Sequence, residues 1–536
     1  MNKFEKLKAE KDGLDVWPDL LRYAAEDTPI EEIGEDELTR MKWYGVFHRP
    51  QRPGTFMMRL RLTGGALTST QMRELASIAR QFGGGSVDIT TRQNIQLRDL
   101  RLPNIPAILE RLSNVGVHAL QTGMDNVRNF IGCPLAGIDG MELFDSTPLL
   151  AAMADAHMVA GKTMSNLPRK MNVSVAGCRD DCGHAQTQDL GFVPATTDID
   201  GRRVAGFNVL VGGALGGTSP RLATPLDVFL RPEEVVPFFL AILAVYRDNG
   251  PREVRTKARL KWLIAEWGEE KLRTAIEERM ESSLHRAGTD ERLQVAGDHL
   301  GIHPQRQVGV NYVGLHIPVG RINAEDMEDL ARIAELHGAS ELRLTVDQNV
   351  VIPHVPDSAL SALLAEPLLA RLRPNPPAVW RSLVACTGND YCHYSLIDTK
   401  THAFNLATEL ERKGIQVPKG TRIHVSGCVH ACGKHHVGDI GLQGANIRLG
   451  SRVEEAADVY VGGRLGENAR LATEVLKQVH VADLPVLVEA LVRQRFQQTV
   501  PLSVIRLLER TNSLEAACRN EPATDEEESG EAVRVS

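Results

Sequence analysis

The stretch FMMRLRLTGGALTSTQMRELASIARQFGGGSVDITTRQNIQL (56–97) recurs without a gap as NYVGLHIPVGRINAEDMEDLARIAELHGASELRLTVDQNVVI (311–352), at an offset of 255. Gly65 falls on Gly320, Met72 on Met327, Gly83 on Gly338, and Gln93-Asn94 on Gln348-Asn349. Each copy opens with an alternating apolar run (MMRLRL; YVGLHI) that reads as a strand. A Thr or Asn cap follows, then a helix with apolar residues at helical spacing and a terminal glycine, then a second strand. Self-similarity at a fixed offset is the signature of duplication. The expected fold is therefore a pseudo-twofold duplicated α/β (α+β) chain.

A second block repeats at an offset of 250. Gly177-Cys178-x3-Cys182-Gly183 falls on Gly427-Cys428-x3-Cys432-Gly433, Asp189-x-Gly191 on Asp439-x-Gly441, and VLVGGALG (209–216) on VYVGGRLG (459–466). The halves differ in chemistry. Half one carries Arg92, Arg128, Arg169 and Lys170 in or beside its strands, whereas half two has Asp347 where Arg92 stood. One half is suited to anions, the other to a metal centre. Between them, 251–284 is charged and helical and reads as a bridge; beyond about residue 513 the acidic, polar tail reads as disordered.

With 536 residues and a net charge of −8, the chain is long enough for several cores and lacks the basic field that nucleic-acid binding requires. The best apolar run, Phe238 to Tyr246, is about half the length of a membrane span. The N-terminus carries lysines with no apolar stretch behind them, unlike a secretory signal. These readings predict a cytoplasmic protein that engages neither nucleic acid nor membrane, so its eight cysteines are not expected to be disulfides. No GxGxxG fingerprint follows a first strand, which argues against flavin or nicotinamide binding.

Cys386-TGNDY-Cys392 is C-x5-C and Cys428-VHA-Cys432 is C-x3-C. Two nearby thiolate pairs suit zinc or an iron–sulfur cluster, and the long C-x5-C spacing leans toward iron–sulfur. Four unrelated buried thiols are the bland alternative. Cys178 and Cys182 form a further C-x3-C without a C-x5-C partner. With Cys133 and Cys518 they suggest a second cluster, but an echo of the duplication explains them more simply.

From the mid-40s to about residue 500 the chain resembles the siroheme-containing nitrite and sulfite reductase family. The matching motifs are MKWYGVFHRP (41–50), TTRQNIQLR (90–98), MDNVRN (124–129), NLPRKMN (166–172), ACTGNDYC (385–392) and SGCVHACG (426–433). The resemblance implies an N-terminal extension (1–45), a first ferredoxin-reductase-like half-domain (46–118) and a first siroheme-binding α/β domain (119–300). A second half-domain (301–375), a second siroheme and [4Fe–4S] domain (376–512) and the tail (513–536) follow.

It further implies siroheme and a [4Fe–4S] cluster held by Cys386, Cys392, Cys428 and Cys432, with Cys432 also bridging to the siroheme iron. Arg92, Arg128, Lys170 and Asn172 are expected at the substrate. Arg169, Gln93, Asn94, Gln348, Asn349 and His430 are expected at the cofactor, His430 replacing the family's usual asparagine. The implied activity is six-electron reduction of nitrite, by a monomer taking electrons from reduced ferredoxin or a similar one-electron donor. Arg255, Lys257, Arg259 and Lys261 are the expected docking stripe for that acidic donor. Assimilatory sulfite reduction is the alternative, disfavoured by Lys170-Met171-Asn172, since sulfite reductases of the family tend to K-x-K. A non-catalytic iron–sulfur carrier or zinc-stabilised binding protein would not need the arginine set.

Overall fold

The computed structural model describes residues 2–293 and 297–494. It divides into two compact units. Unit 1 runs to Ala214 and resumes over Arg221–Asn375; unit 2 takes Leu215–Pro220 and continues from Pro376.

Unit 1 contains both copies of the first repeat, each a five-stranded antiparallel sheet. The first sheet runs in the order Val46–His48, Thr55–Arg59, Ile95–Arg101, Ser86–Ile89, Arg321–Asn323. The second runs Gly301–Pro304, Val310–Leu315, Val350–Pro356, Glu341–Leu344, Ala66–Thr68. Each sheet thus ends on a short strand lent by the other copy, Arg321 pairing with Asp88 and Leu342 with Leu67. The exchange covers an edge whose N–H and C=O groups would otherwise be unpaired. Helices Ser69–Phe82 and Ala324–His337 keep the offset of 255 at both ends. Thr68 caps the first in a capping box with Gln71, and Asn323 caps the second through Asp326 N–H at 2.7 Å. Met72, Leu75 and Ala79 share one core with Met327, Leu330 and Ala334. The aligned Gly65 and Gly320 both have left-handed φ (+73° and +67°), and a Cβ on Gly65 would lie 2.6 Å from Leu344 O. The strand exchange therefore leaves room only for glycine there.

The third sheet of unit 1 runs Thr224–Leu230, Arg202–Val211, Leu190–Ile199, Met171–Val175, Val127–Gly132, the last three strands mutually parallel. Helices Thr147–Ala160, Val235–Asn249 and Leu260–Met280 supply its core, with Phe130, Phe192, Phe238 and Phe239 at the centre. The apolar run 238–246 is thus a buried helix, and among the described residues no helix is long and apolar enough to cross a membrane. The segment 251–284 is not a bridge. Its helix bends at Gly268 and buries Leu260, Leu263, Ile264, Leu272 and Ile276 in this core, an apolar stripe that its many charges masked.

The N-terminal segment is bolted to unit 1. Leu7, Trp43 and Met124 cluster, Trp43 Nε1 donates to Ser165 O at 3.0 Å, and Arg252 donates to Glu5 Oε2 at 2.8 Å.

Unit 2 repeats the third sheet: Leu383–Ala385, Ile423–Ser426, Ile440–Leu449, Arg452–Val461, Thr473–His480. Strands Ile440–Leu449 and Arg452–Val461 lie 250 positions after Leu190–Ile199 and Arg202–Val211. Gly217 N–H donates to Val429 O at 2.9 Å, which fastens the 215–220 loop to the 428–432 cysteine loop within this unit. The acidic tail and Cys518 lie outside the described residues.

Candidate functional site

In unit 1 the two motif repeats converge on a cluster of cations. Arg92 sits in the turn that joins strands Ser86–Ile89 and Ile95–Arg101, closed by Thr90 N–H to Asn94 O at 2.8 Å. Arg128 lies within strand Val127–Gly132; it is 6 % exposed, donates to Thr122 O, and leaves its Nε without a partner. Arg169 and Lys170 directly precede strand Met171–Val175, and Asn172 lies within it. Burial, then Arg92, Arg259, Arg128 and Arg169, push the Lys170 ammonium well below the usual lysine range. Burial, then Arg59, Arg92 and Arg169, do the same to Arg128. The fold thus brings Arg92, Arg128, Arg169 and Lys170 within electrostatic reach of one another, in surroundings where like charges are costly. Such a site stabilises an incoming anion.

Two buried carboxylates position this cluster. Asp189 accepts Asn172 N–H at 2.7 Å and two Arg259 nitrogens at 2.8 and 2.5 Å. Asp125 accepts two nitrogens of Arg255 at 2.6 Å each and Lys8 Nζ at 3.3 Å, and lies 3.7 Å from Arg169. Burial alone would raise the Asp125 carboxyl, but Arg255, Lys8 and Arg169 outweigh it and hold it below its ordinary value. Its contribution to stability is therefore present at neutral pH and lost as pH falls through that lowered pKa. Asp125→Asn is expected to destabilise the protein by about 3–5 kcal/mol, because it strands buried cations. The urea midpoint measures this, and a loss under about 1 kcal/mol would contradict it.

The expected docking stripe does not exist. Arg255 is spent on Asp125, Arg259 on Asp189, and Lys261 is 6 % exposed; of the four, Lys257 is the exposed one. The sequence showed alternating cations but not their partners, 130 and 70 residues away.

Backbone groups occupy the four amides expected at the cofactor. Gln93 donates to Leu344 O at 3.0 Å and accepts Gly132 N–H at 2.9 Å, while Gln348 donates to Ile89 O at 2.8 Å. Asn94 donates to Leu60 O, and Asn349 accepts Ile317 N–H at 3.1 Å. They brace the turns of the two exchanged sheets. Asn172 Oδ1, by contrast, is buried without a partner.

In unit 2, Cys386 directly follows strand Leu383–Ala385, and Cys428 and Cys432 follow its parallel neighbour Ile423–Ser426. Adjacent parallel strands thereby deliver both cysteine pairs to one sheet edge, with Cys432 exposed and the other three half-buried. Gly427 N–H donates to Cys386 Sγ at 3.2 Å, the kind of bond that tunes a metal thiolate. Gly427 is required for the loop's own packing, since a Cβ there would lie 1.7 Å from Ser395 Oγ. Burial pushes the Cys386 thiol up to about 11 and the Cys428 thiol up to about 12, so a bound metal must displace their protons.

Among the described residues, no three of these four sulfurs lie within 4.8 Å of one another. A single tetrahedral ion with metal–sulfur bonds of about 2.3 Å needs thiolates about 3.8 Å apart. Cys428 feels the charge of Cys386, Cys392 and Cys432, so the fold gathers the four thiols that a four-iron cluster needs. His430 is exposed beside Cys432 and meets Tyr394 edge-on at 4.7 Å.

Of the second cysteine set weighed from the sequence, three members come together in unit 1, joined by His299, which the sequence did not mark. Cys133, Cys178 and Cys182 are buried with their sulfurs within 4.8 Å of one another, and His299 Nε2 is 3.0 Å from Cys182 Sγ.

Residues 123–284 and 378–495 match the nitrite and sulphite reductase 4Fe-4S domain, and residues 49–115 and 303–370 match the nitrite/sulfite reductase ferredoxin-like half domain. A ferredoxin–nitrite reductase of Synechococcus elongatus is 45% identical over 92% of this chain and 97% of its own. The chloroplastic ferredoxin–nitrite reductase of Zea mays is 44% identical over 92% of this chain and 90% of its own. The solved structure of the Mycobacterium tuberculosis NirA protein superposes with a TM-score of 0.86 at 30% identity, covering 92% of this chain and 93% of that one.

Proposed function

The chain belongs to the nitrite and sulphite reductase family, and we propose that it reduces nitrite to ammonium with electrons from ferredoxin, at a siroheme coupled to a [4Fe–4S] cluster. The observation that carries this reading is the crowding of Arg92, Arg128 and Arg169 around Lys170, which a carrier or a structural metal protein does not need. Bound siroheme and cluster supply the site for nitrogen and the electron path to it.

The protein's own residues do the rest. Arg92 and Arg128 bind the oxygens of the anion, and Arg169 would meet a siroheme carboxylate. Lys170, with its depressed pKa, gives up a proton readily to the oxygen that leaves as water. Asn172 offers an amide donor and no charge. Cys386, Cys392, Cys428 and Cys432 would hold the cluster, with Cys432 the ligand it would share with siroheme, and His430 stands beside Cys432. The enzyme works as a cytoplasmic monomer. Acid–acetone extraction should release siroheme, and the protein should carry about five irons, four in the cluster and one in siroheme. A chain without tetrapyrrole would refute the proposal.

Nitrite is a small monoanion that three cations already over-neutralise; sulfite carries more charge. Asn172→Lys is therefore expected to raise kcat/KM for sulfite relative to nitrite by roughly tenfold to a hundredfold, the worth of a charged hydrogen bond of about 1.5–3 kcal/mol. Steady-state competition between the two anions reads the ratio, and a shift toward nitrite would contradict the role given to Asn172.

A further inference from the structure

Unit 1 repeats the cysteine arrangement of unit 2 with one position changed. Cys133 directly follows strand Val127–Gly132 as Cys386 follows Leu383–Ala385. Cys178 and Cys182, on the loop after Met171–Val175, precede Cys428 and Cys432 by 250 positions. Counting on from Cys133 as from Cys386, the place of Cys392 is taken by Asp139. The set thus lacks the fourth thiolate of a cluster cage.

The three sulfurs have also drawn together. All lie within 4.8 Å of one another, Cys178 and Cys182 at 3.4 Å, close to the spacing of about 3.8 Å that one tetrahedral zinc imposes. All three residues are at most 4 % exposed. A nitrogen ligand arrives from elsewhere in the unit: His299, itself buried and held at a left-handed φ of +59°, points Nε2 at Cys182 Sγ. A carboxylate stands beside the same pair. The Asp180 carboxylate, Cys182 Sγ and a ring nitrogen of His299 lie within 4.8 Å of one another, so Asp180 borders the same site. Leu135 N–H donates to Cys133 Sγ at 3.3 Å, as Gly427 N–H does to Cys386 in unit 2.

We propose that Cys133, Cys178 and Cys182 bind one zinc ion in unit 1, with His299 closing onto it from its place beside Cys182, a structural site built on the place where the other half of the duplication holds its cluster. Binding releases the three thiol protons to solvent and leaves no ligand position open, so the ion ties segment 299 to the ends of the two parallel strands and takes no part in turnover.

The test uses the full-length holoenzyme, purified without chelators from cells supplied with zinc and iron. Metal analysis should give about one zinc per chain beside the iron. Zinc K-edge absorption should show about three sulfurs near 2.3 Å and one nitrogen near 2.0 Å, a signal to which siroheme and cluster do not contribute. His299→Ala should retain the sulfur shell and lose zinc to a chelator at least about tenfold faster. Cys178→Ser with Cys182→Ser should lose the zinc and keep the siroheme and cluster spectra; if that variant does not fold, the absorption edge of the native protein still decides. Zinc well below stoichiometric, a zinc shell without sulfur, a Cys178–Cys182 disulfide in the isolated protein, or iron bound at these thiols would each overturn the proposal.

Discussion

Cys432→Ser is expected to abolish nitrite turnover and to remove the cluster and the siroheme absorption together. A serine hydroxyl is a hard ligand that stays protonated at neutral pH, so it replaces thiolate at neither iron. The position makes the result readable. Cys432 is exposed, unlike the cysteines of unit 1, so its removal takes little from the core. The far-ultraviolet circular dichroism spectrum should therefore remain that of the native protein. Siroheme retained with an unchanged spectrum would show that the bridge is not at Cys432. Loss of both centres together with loss of the fold would point to misfolding.

Lys170→Gln is expected to lower kcat by about a hundredfold to ten-thousandfold, the range for removing a positioned proton donor. Its pH dependence separates this role from simple charge. Burial and the arginines around it hold the ammonium well below the lysine range, so Lys170 is protonated at low pH and loses its proton earlier than an ordinary lysine as pH rises. The kcat/KM profile of the native enzyme should therefore fall on its alkaline side through that lowered pKa, and the fall should vanish in Lys170→Gln. Lys170→Arg keeps the positive charge but does not release a proton, so KM for nitrite should change little while kcat falls. An alkaline limb that survives in Lys170→Gln would assign the proton donor elsewhere.

The duplication was fully legible in the sequence, because strand and helix periods repeat residue for residue. Helices Ser69–Phe82 and Ala324–His337 begin and end where the offset of 255 puts them. The strand exchange was not legible. Ala66–Thr68 and Arg321–Asn323 have three residues each, too few to show an alternating pattern, and their pairing is set by long-range packing. The docking stripe failed for a related reason: the charge at Arg255 and Arg259 is visible in the sequence, while Asp125 and Asp189, which neutralise them, are brought in by the fold. Cys133 carries no motif of its own, so its grouping with Cys178 and Cys182 yielded to the simpler reading of an echo of the duplication. The signal was present in the repeat itself, since Cys133 stands to the first unit's strands as Cys386 stands to the second's. Asn172 shows the opposite case, where a short motif marked a buried side chain whose oxygen no protein group satisfies.

The measurement closest to the central claim is steady-state turnover of nitrite and of sulfite by the purified holoenzyme with reduced ferredoxin, with ammonium and sulfide counted as products. One ammonium should form per nitrite consumed, with a higher kcat/KM for nitrite than for sulfite. A higher kcat/KM for sulfite, or nitrite consumed without ammonium appearing, would contradict it.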